Sequence, residues 1–487
     1  MARPVPDPIL ILLLTTLAVG VPAVLAHGDS WDEMRRRLLT EAERSSESVS
    51  VEVLVFPSGR TLWSHRAHEP MIPASLLKIA TSYAALKTLG PNHRFRTALY
   101  TASPVEDGIV SGDIWLRSEG DIFWTVAGAA DLAYRLRARG IETVRGRLLV
   151  DNGYFSPPWE RVCLDERCED SYNPMVSGSA IEFNSVLVRV RPSSSVGKPP
   201  VVEWVPRGRF LQVVNEARTA PKKAGTDLVM SLLEPDPLGR MRLHISGRLP
   251  VSPAAVVERR HSVTSPSVFV AEVVTSVLES TGIRVESGST VSPSSAALPK
   301  EARLLAEVLS PPLAETIHGL NRHSNNFMAE MLLRSMGAAV MGPPGTEAKG
   351  IATVNQVLQA LGASTADCLL KTGSGLSRQC RMTARALGRI LVSAYGEATL
   401  GPAFMASLAV NGEEGTMRRR LTRSPVTLRG KTGTLNDVVG FAGYVSAPNR
   451  PTYGVVLILN GVHDPPRAKR AVDVFLEKLG MFGPPTA

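Results

Sequence analysis

No stretch narrows the possible folds further than Ile72-Pro-Ala-Ser75-Leu-Leu-Lys78-Ile-Ala-Thr-Ser-Tyr-Ala-Ala-Leu86. Pro73 suits a first helical turn, where its missing N–H costs nothing, and Gly90-Pro91 supplies a stop after Leu89. Apolar side chains (Leu76, Leu77, Ile79, Ala80, Ala84, Ala85, Leu86) point in nearly every direction around this helix, so it belongs inside a core. Yet it carries Ser75 and Lys78 three positions apart on one face. Burial disfavours an ammonium, so a lysine there can accept a proton. A serine hydroxyl becomes a useful nucleophile once a neighbouring base takes its proton. The pair is therefore a nucleophile and base that need no histidine. A second Ser-x-x-Lys, Ser195-Val-Gly-Lys198, lies in a Pro/Ser/Gly-rich stretch with no helix to align it, and is set aside.

With 487 residues the chain calls for two or three domains. At 44% hydrophobic and 20% charged it is globular, and its 36 prolines and 40 glycines imply many turns and strands. Arg3 precedes an apolar run from Ile9 to Leu25 that ends Val24-Leu25-Ala26, which reads as a signal peptide over residues 1–26 cleaved before His27. An uncleaved anchor is the alternative, but the run is short for a span and Pro22 sits near its end. Export would put the four cysteines in an oxidising compartment, where two local loops, Cys163–Cys168 and Cys368–Cys380, are the simplest pairing. Neither the cysteines nor His65-x-x-His68 have the spacing of a zinc site. The net charge of +9 is compatible with an anionic polymer. No nucleic-acid motif accompanies it, and Arg35–Arg37 and Arg418–Arg420 read as solvated helix faces.

In order, residues 27–47 form an amphipathic helix, 49–56 an alternating strand, and Ser58-Gly59 the turn of a hairpin that leads into the Ser75 helix. From Phe95 to Pro299 short strands dominate, interrupted by one helix, Ala127–Arg139. Helices return over 312–336, 354–361 and 383–395, then strands at 426–429, 441–445 and 453–459, and a closing helix over 467–479. The expected fold class is α+β, helices packed on an antiparallel sheet. Residues 27–94 and 300–487 make the main domain, and 95–299 is a strand-rich insertion of two nested small domains.

Two later motifs join Ser75 and Lys78. Ser324-Asn325-Asn326 enters the apolar helix Phe327–Leu333; its hydroxyl can relay a proton and the Asn326 amide can meet a substrate carbonyl, or the segment simply caps the helix. Lys431-Thr432-Gly433-Thr434 follows the 426–429 strand. Gly433 would let a substrate backbone approach, and Lys431, Thr432 and Thr434 can hold a carboxylate. A rival Lys371-Thr-Gly373 leads into glycine-rich sequence with no strand after it, and is rejected.

Ser-x-x-Lys, Ser-x-Asn and Lys-Thr-Gly, in that order, are the signatures of the penicillin-recognising serine enzymes. The sequence resembles the D-alanyl-D-alanine carboxypeptidase/endopeptidase family of the penicillin-binding protein 4 type (peptidase S13, class C). The likeness rests on Ser310-Pro-Pro-Leu313, Asn326-x-x-Ala-Glu330, Gly412-Glu-Glu-Gly-Thr-Met417, Lys431-Thr-Gly-Thr-Leu435, Gly440-Phe-Ala-Gly-Tyr444 and the long interval between Ser75 and Ser324. It implies that Ser75 attacks the bond between two D-alanines while Lys78 takes its proton. Ser324 would pass a proton to the leaving amine. Lys431, Thr432 and Thr434 would bind the terminal carboxylate, and Asn326 the peptide backbone. The N–H groups of Ser75 and Thr434 would form the oxyanion hole.

The resemblance also implies peptidoglycan stem peptides as substrate, β-lactams as covalent inhibitors, no metal or organic cofactor, and a periplasmic location with room for peripheral membrane association. Two departures stand out: Thr372 occupies a position that is usually acidic, and Glu119-Gly-Asp-Ile122 replaces a Gly-Asp-Pro turn. The rival readings are a non-catalytic wall-binding protein and a serine β-lactamase, for which Glu169-x-x-x-Asn173 offers a superficial deacylation motif.

Overall fold

The computed structural model describes residues 30–163, 167–288 and 296–483, so the expected signal peptide lies outside the described residues. Six strands form one sheet in the order Arg60–His65, Ser48–Val55, Tyr453–Asn460, Val438–Ser446, Thr427–Leu435, Ala409–Val410, each antiparallel to its neighbour. Helices cover both faces. Trp31–Glu43 and Pro465–Met481 pack on one side; Leu77–Leu89, Asn326–Met341, Glu347–Ala360 and Ala384–Gly396 lie on the other. This is the α+β fold expected.

Being covered twice changes what the strands look like. Val455, Leu457 and Leu459 join the cluster under the terminal helices, while Val456 and Ile458 join the cluster around the Lys78 helix. Successive side chains of a strand point to opposite faces, so a strand buried on both sides is apolar throughout. The alternation at Val49–Phe56 has a different meaning from a wet face. Ser50 and Glu52 are buried: the Ser50 hydroxyl donates to the Arg66 carbonyl, and one Glu52 oxygen accepts from the Thr61 hydroxyl and lies 3.9 Å from Arg385.

The Ser75 stretch is not one continuous α-helix. Ala74–Leu76 is a 3₁₀ turn that feeds the α-helix Leu77–Leu89, where every residue from Leu77 to Leu86 is buried. Between 96 and 309 the described residues add further small sheets and two α-helices, Val126–Ala138 and Pro266–Ser280. Only the first was anticipated. The second is rich in valine, which favours strands by propensity, but burial of almost its whole length overrides that preference. A separate apolar cluster runs from Leu99 to Val308, while Ile122, Phe155, Val162, Val176 and Ala180 instead pack into the core around the Lys78 helix.

Cys163 and Cys168 form a disulfide as expected, but Cys368 and Cys380 are free thiols. In the short ladder that brings them together, Cys368 is paired with Met382, so Cys380 is out of register with it. Instead the Cys380 sulfur accepts the Lys371 N–H at 3.4 Å. Arg418–Arg420 also departs from expectation: these residues lie in turns, not on a helix, and Arg420 pairs with Asp473.

Candidate active site

Lys78 is completely buried, and its Nζ meets three oxygens: Ser75 Oγ at 2.9 Å, Asn326 Oδ1 at 2.6 Å and the Ser374 carbonyl at 2.8 Å. Burial pulls its pKa down to about 7, and the Glu330 carboxylate pushes the other way. A neutral amine has two N–H bonds and one lone pair. The two carbonyl oxygens cannot donate, so they take the two N–H groups and the lone pair is left for the Ser75 hydroxyl proton. That is the arrangement a general base requires.

Lys431, also fully buried, donates to Ser324 Oγ at 2.8 Å and to the Thr432 carbonyl at 2.9 Å. Burial, and then the charge of Lys78, hold its pKa well below the usual lysine range. Two buried lysines thus each engage one serine. The serines are half open and line a cleft of about 460 Å³ together with Thr416, Arg420, Thr432, Gly433, Thr434, Lys469 and Asp473.

The backbone is strained on both sides of the cleft, with Ala74 at φ 47° and Ser324 at φ 58°. Lys431-Thr-Gly-Thr434 lies within the strand Thr427–Leu435 rather than after a strand ending at Arg429. Strand alternation separates Lys431 and Gly433 on one face from Thr432 and Thr434 on the other. A Cβ on Gly433 would sit 3.0 Å from the Pro73 carbonyl and from Leu76, so the bare glycine makes room for the Ser75 turn. Gly433 also lines the cleft.

All seven residues singled out by motif converge here. The Asn326 carbonyl oxygen holds Lys78, and its Nδ2 donates to the Tyr172 carbonyl at 2.7 Å. Asn325, not Ser324, caps the following helix. The glycine-rich sequence that follows Lys371-Thr-Gly373 reaches the site through the Ser374 carbonyl. Thr372, at the usually acidic position, still holds the turn by accepting the Gly375 N–H at 3.2 Å. Arg420 and Asp473 were not foreseen; the quoted Gly412–Met417 segment, which precedes Arg420, was the available signal. Glu169 lies beside Arg161 and His261, and the Asn173 amide donates to the Arg167 carbonyl.

Residues 36–479 match the D-Ala-D-Ala carboxypeptidase 3 (S13) family. The chain belongs to that family. A D-alanyl-D-alanine carboxypeptidase of Actinomadura sp. (strain R39) is 30% identical over 97% of this chain and 89% of its own. D-alanyl-D-alanine carboxypeptidase DacB of Haemophilus influenzae is 24% identical over 80% and 81%. Penicillin binding protein 4 of Haemophilus influenzae superposes with a TM-score of 0.71 at 20% identity, covering 91% of this chain and 98% of that one. A complex of that protein with a β-lactam gives 0.70. The fold is therefore that of the penicillin-recognising serine hydrolases, and the chain is a serine-type D-Ala-D-Ala carboxypeptidase.

Proposed function

We propose that Ser75 is the acylating nucleophile, Lys78 its general base and Ser324 the proton relay, acting on peptidoglycan stem peptides that end in D-Ala-D-Ala. The observation that carries this reading is the contact of the buried Lys78 amine with Ser75 Oγ at 2.9 Å, its other two partners being oxygens of fixed groups. As Ser75 attacks the carbonyl of the penultimate D-alanine, its proton passes to Lys78. The backbone N–H groups of Ser75 and Thr434 receive the oxyanion, a contribution of roughly 3–4 kcal/mol per donor. Ser324, bonded to Lys431, returns a proton to the leaving amine, and free D-alanine departs. Lys431, Thr432 and Thr434 hold its carboxylate. Water then hydrolyses the ester on Ser75. Asn326 orients Lys78 and the substrate backbone. Neither metal nor organic cofactor has a part in this chemistry.

The division expected at 95–299 shifts at its far end, because the strand Arg303–Leu309 pairs with Arg96–Thr101: the accessory insertion extends to about residue 309, the rest forms the catalytic unit, and the insertion docks beside the site through Tyr172. The same cleft cleaves D-alanyl cross-links as well as terminal D-alanine. The protein works outside the cytoplasmic membrane after export, and β-lactams acylate it at Ser75 and leave slowly. Among the described residues no helix is long and apolar enough to cross a membrane.

Ser75→Ala should abolish both D-alanine release from a stem pentapeptide and labelling by fluorescent penicillin; activity that survives the substitution removes Ser75 from its role. Defined cross-linked and uncross-linked muropeptides, digested side by side, measure the two activities. Rapid turnover of penicillin instead of a lasting adduct would favour the β-lactamase reading.

A further inference from the structure

Behind the lysine base lies a second layer of buried charge that the chemistry above does not use. Glu330 is fully buried one turn along the helix from Asn326, and its two oxygens accept the N–H groups of Ser374 at 2.9 Å and Gly373 at 3.2 Å. Those N–H groups flank the peptide carbonyls that hold the Lys78 helix: Ser374 C=O takes Lys78 Nζ at 2.8 Å, and Gly373 C=O takes the Thr81 hydroxyl at 2.7 Å. Arg334, 1% exposed, sits one further turn along. It reaches Glu330 at 3.3 Å, Glu160 of the inserted region at 2.6 Å and Glu347 at 3.6 Å. Three carboxylates thus surround one guanidinium, and only Glu330 faces the lysine.

We propose that Glu330 and Arg334 are positioning residues for acyl transfer: Glu330 clamps the 373–374 loop so that the Ser374 carbonyl aims the Lys78 lone pair at Ser75, and Arg334 balances the Glu330 charge. The proposal rests on Lys78 being the base. A bare carboxylate this close would stabilise the ammonium and spoil the base; a missing one would free the loop. The guanidinium lets the clamp remain without the full field. Glu160 extends the chain of contacts to the insertion, so the accessory region braces the base from behind.

Other charges near Lys78 are few. Lys431 comes from the strand that packs on the Ser75 turn, and Glu347, from its own helix, stands behind Arg334. Cys380, beside the loop, is kept as a neutral thiol chiefly by burial. Leu313–Arg322 presents the uncharged Asn321 to Ser82, and Gly401–Ser407 carries no titratable group. Glu397, after the Ala384–Gly396 helix, is taken up by Lys87 and Tyr83 at the far end of the Lys78 helix.

The test follows the second-order rate of penicillin acylation against pH for four folded variants, folding being judged by thermal melting. Glu330→Gln keeps one of the two acceptors, for the Ser374 N–H, and loses the charge, so the acid limb should move to lower pH with a roughly tenfold loss at the optimum. Arg334→Met should move that limb to higher pH. Glu330→Leu loses clamp and charge together, and should cost roughly 100-fold or more at every pH. Glu160→Gln, on a partly exposed side chain, keeps the test available if Arg334→Met does not fold, and should shift the limb downward by less than Glu330→Gln. A folded Glu330→Leu enzyme with the parent rate, or Glu330→Gln and Arg334→Met limbs that stay put or move together, overturns the proposal. Lys78→Met separates the two ideas. If it still acylates, the base is misassigned; if it is dead while the limbs do not shift, only the clamp is wrong.

Discussion

Lys78 has to be neutral to work and yet be held in place by hydrogen bonds, and its two carbonyl partners reconcile these demands. Because its pKa lies near 7, the rate of acylation should rise about tenfold per pH unit below 7 and flatten above it, as expected of a base that must lose a proton. Stopped-flow measurement with a chromogenic β-lactam, in the presence of constant salt, reads this directly; a flat profile would exclude Lys78 as the titrating base. Lys78→Met should lower the same rate by roughly 10²–10⁴, the contribution of a positioned base. At this scale the motifs carried most of the information. Ser75 and Lys78 were legible because three helical positions bring them onto one face, and Lys431 because its Thr-Gly-Thr follows a strand and completes an ordered set of motifs. The Ser374 carbonyl was not legible, since every residue has a carbonyl and only its direction makes it a ligand.

The loop 371–377 shows how an element acquires a role through its neighbours. Gly375 has φ 75°, and a Cβ there would lie 1.9 Å from the Ala74 carbonyl, next to Ser75. Gly375→Ala should therefore destabilise the protein by more than about 1 kcal/mol and slow acylation, because strain and clash act together. Urea unfolding monitored beside penicillin labelling would show both losses, and an unchanged protein would mean that the loop is less tightly held than described.

The Val257–Ser262 strand plays a comparable part for the segment that carries Tyr172. It contains His261, fully buried with both ring nitrogens unpartnered, next to Asp170, and the Ser262 N–H donates to the Glu169 carbonyl. Burial, and then the Arg259 charge, pull the histidine down to about 4, with Asp170 and Glu169 opposing. Between pH 6.5 and 4 the unfolded chain gains a proton that the folded chain refuses, so this group costs stability as the pH falls through that window. His261→Leu should lessen the drop in urea midpoint between pH 7 and pH 4.5; an identical drop would show that the acid sensitivity resides elsewhere.

For the molecule as a whole, a buried lysine leaves a signature on the alkaline side. Folded Lys78 releases its proton near pH 7 and the unfolded side chain near 10.5, so in between the unfolded state binds more protons and stability rises with pH. The wild type should gain thermal stability relative to Lys78→Met across that window, as differential scanning calorimetry of the two proteins would reveal; parallel curves would contradict a depressed lysine.

The sequence by itself determined the local pieces: which helix is buried, where the serine–lysine pair lies and which motifs travel together. Pattern and spacing act over a few residues, and these features are of that length. Only the tertiary structure decided that Cys368 and Cys380 stay apart, that Pro266–Ser280 is a helix, that Gly433 packs on the Ser75 turn, that the Ser374 carbonyl reaches the lysine, and that Tyr172 holds Asn326 while Glu330 holds the 373–374 loop. Those outcomes depend on register and on which surfaces meet in the folded chain, and on backbone groups whose chemistry is the same at every position until packing points them somewhere.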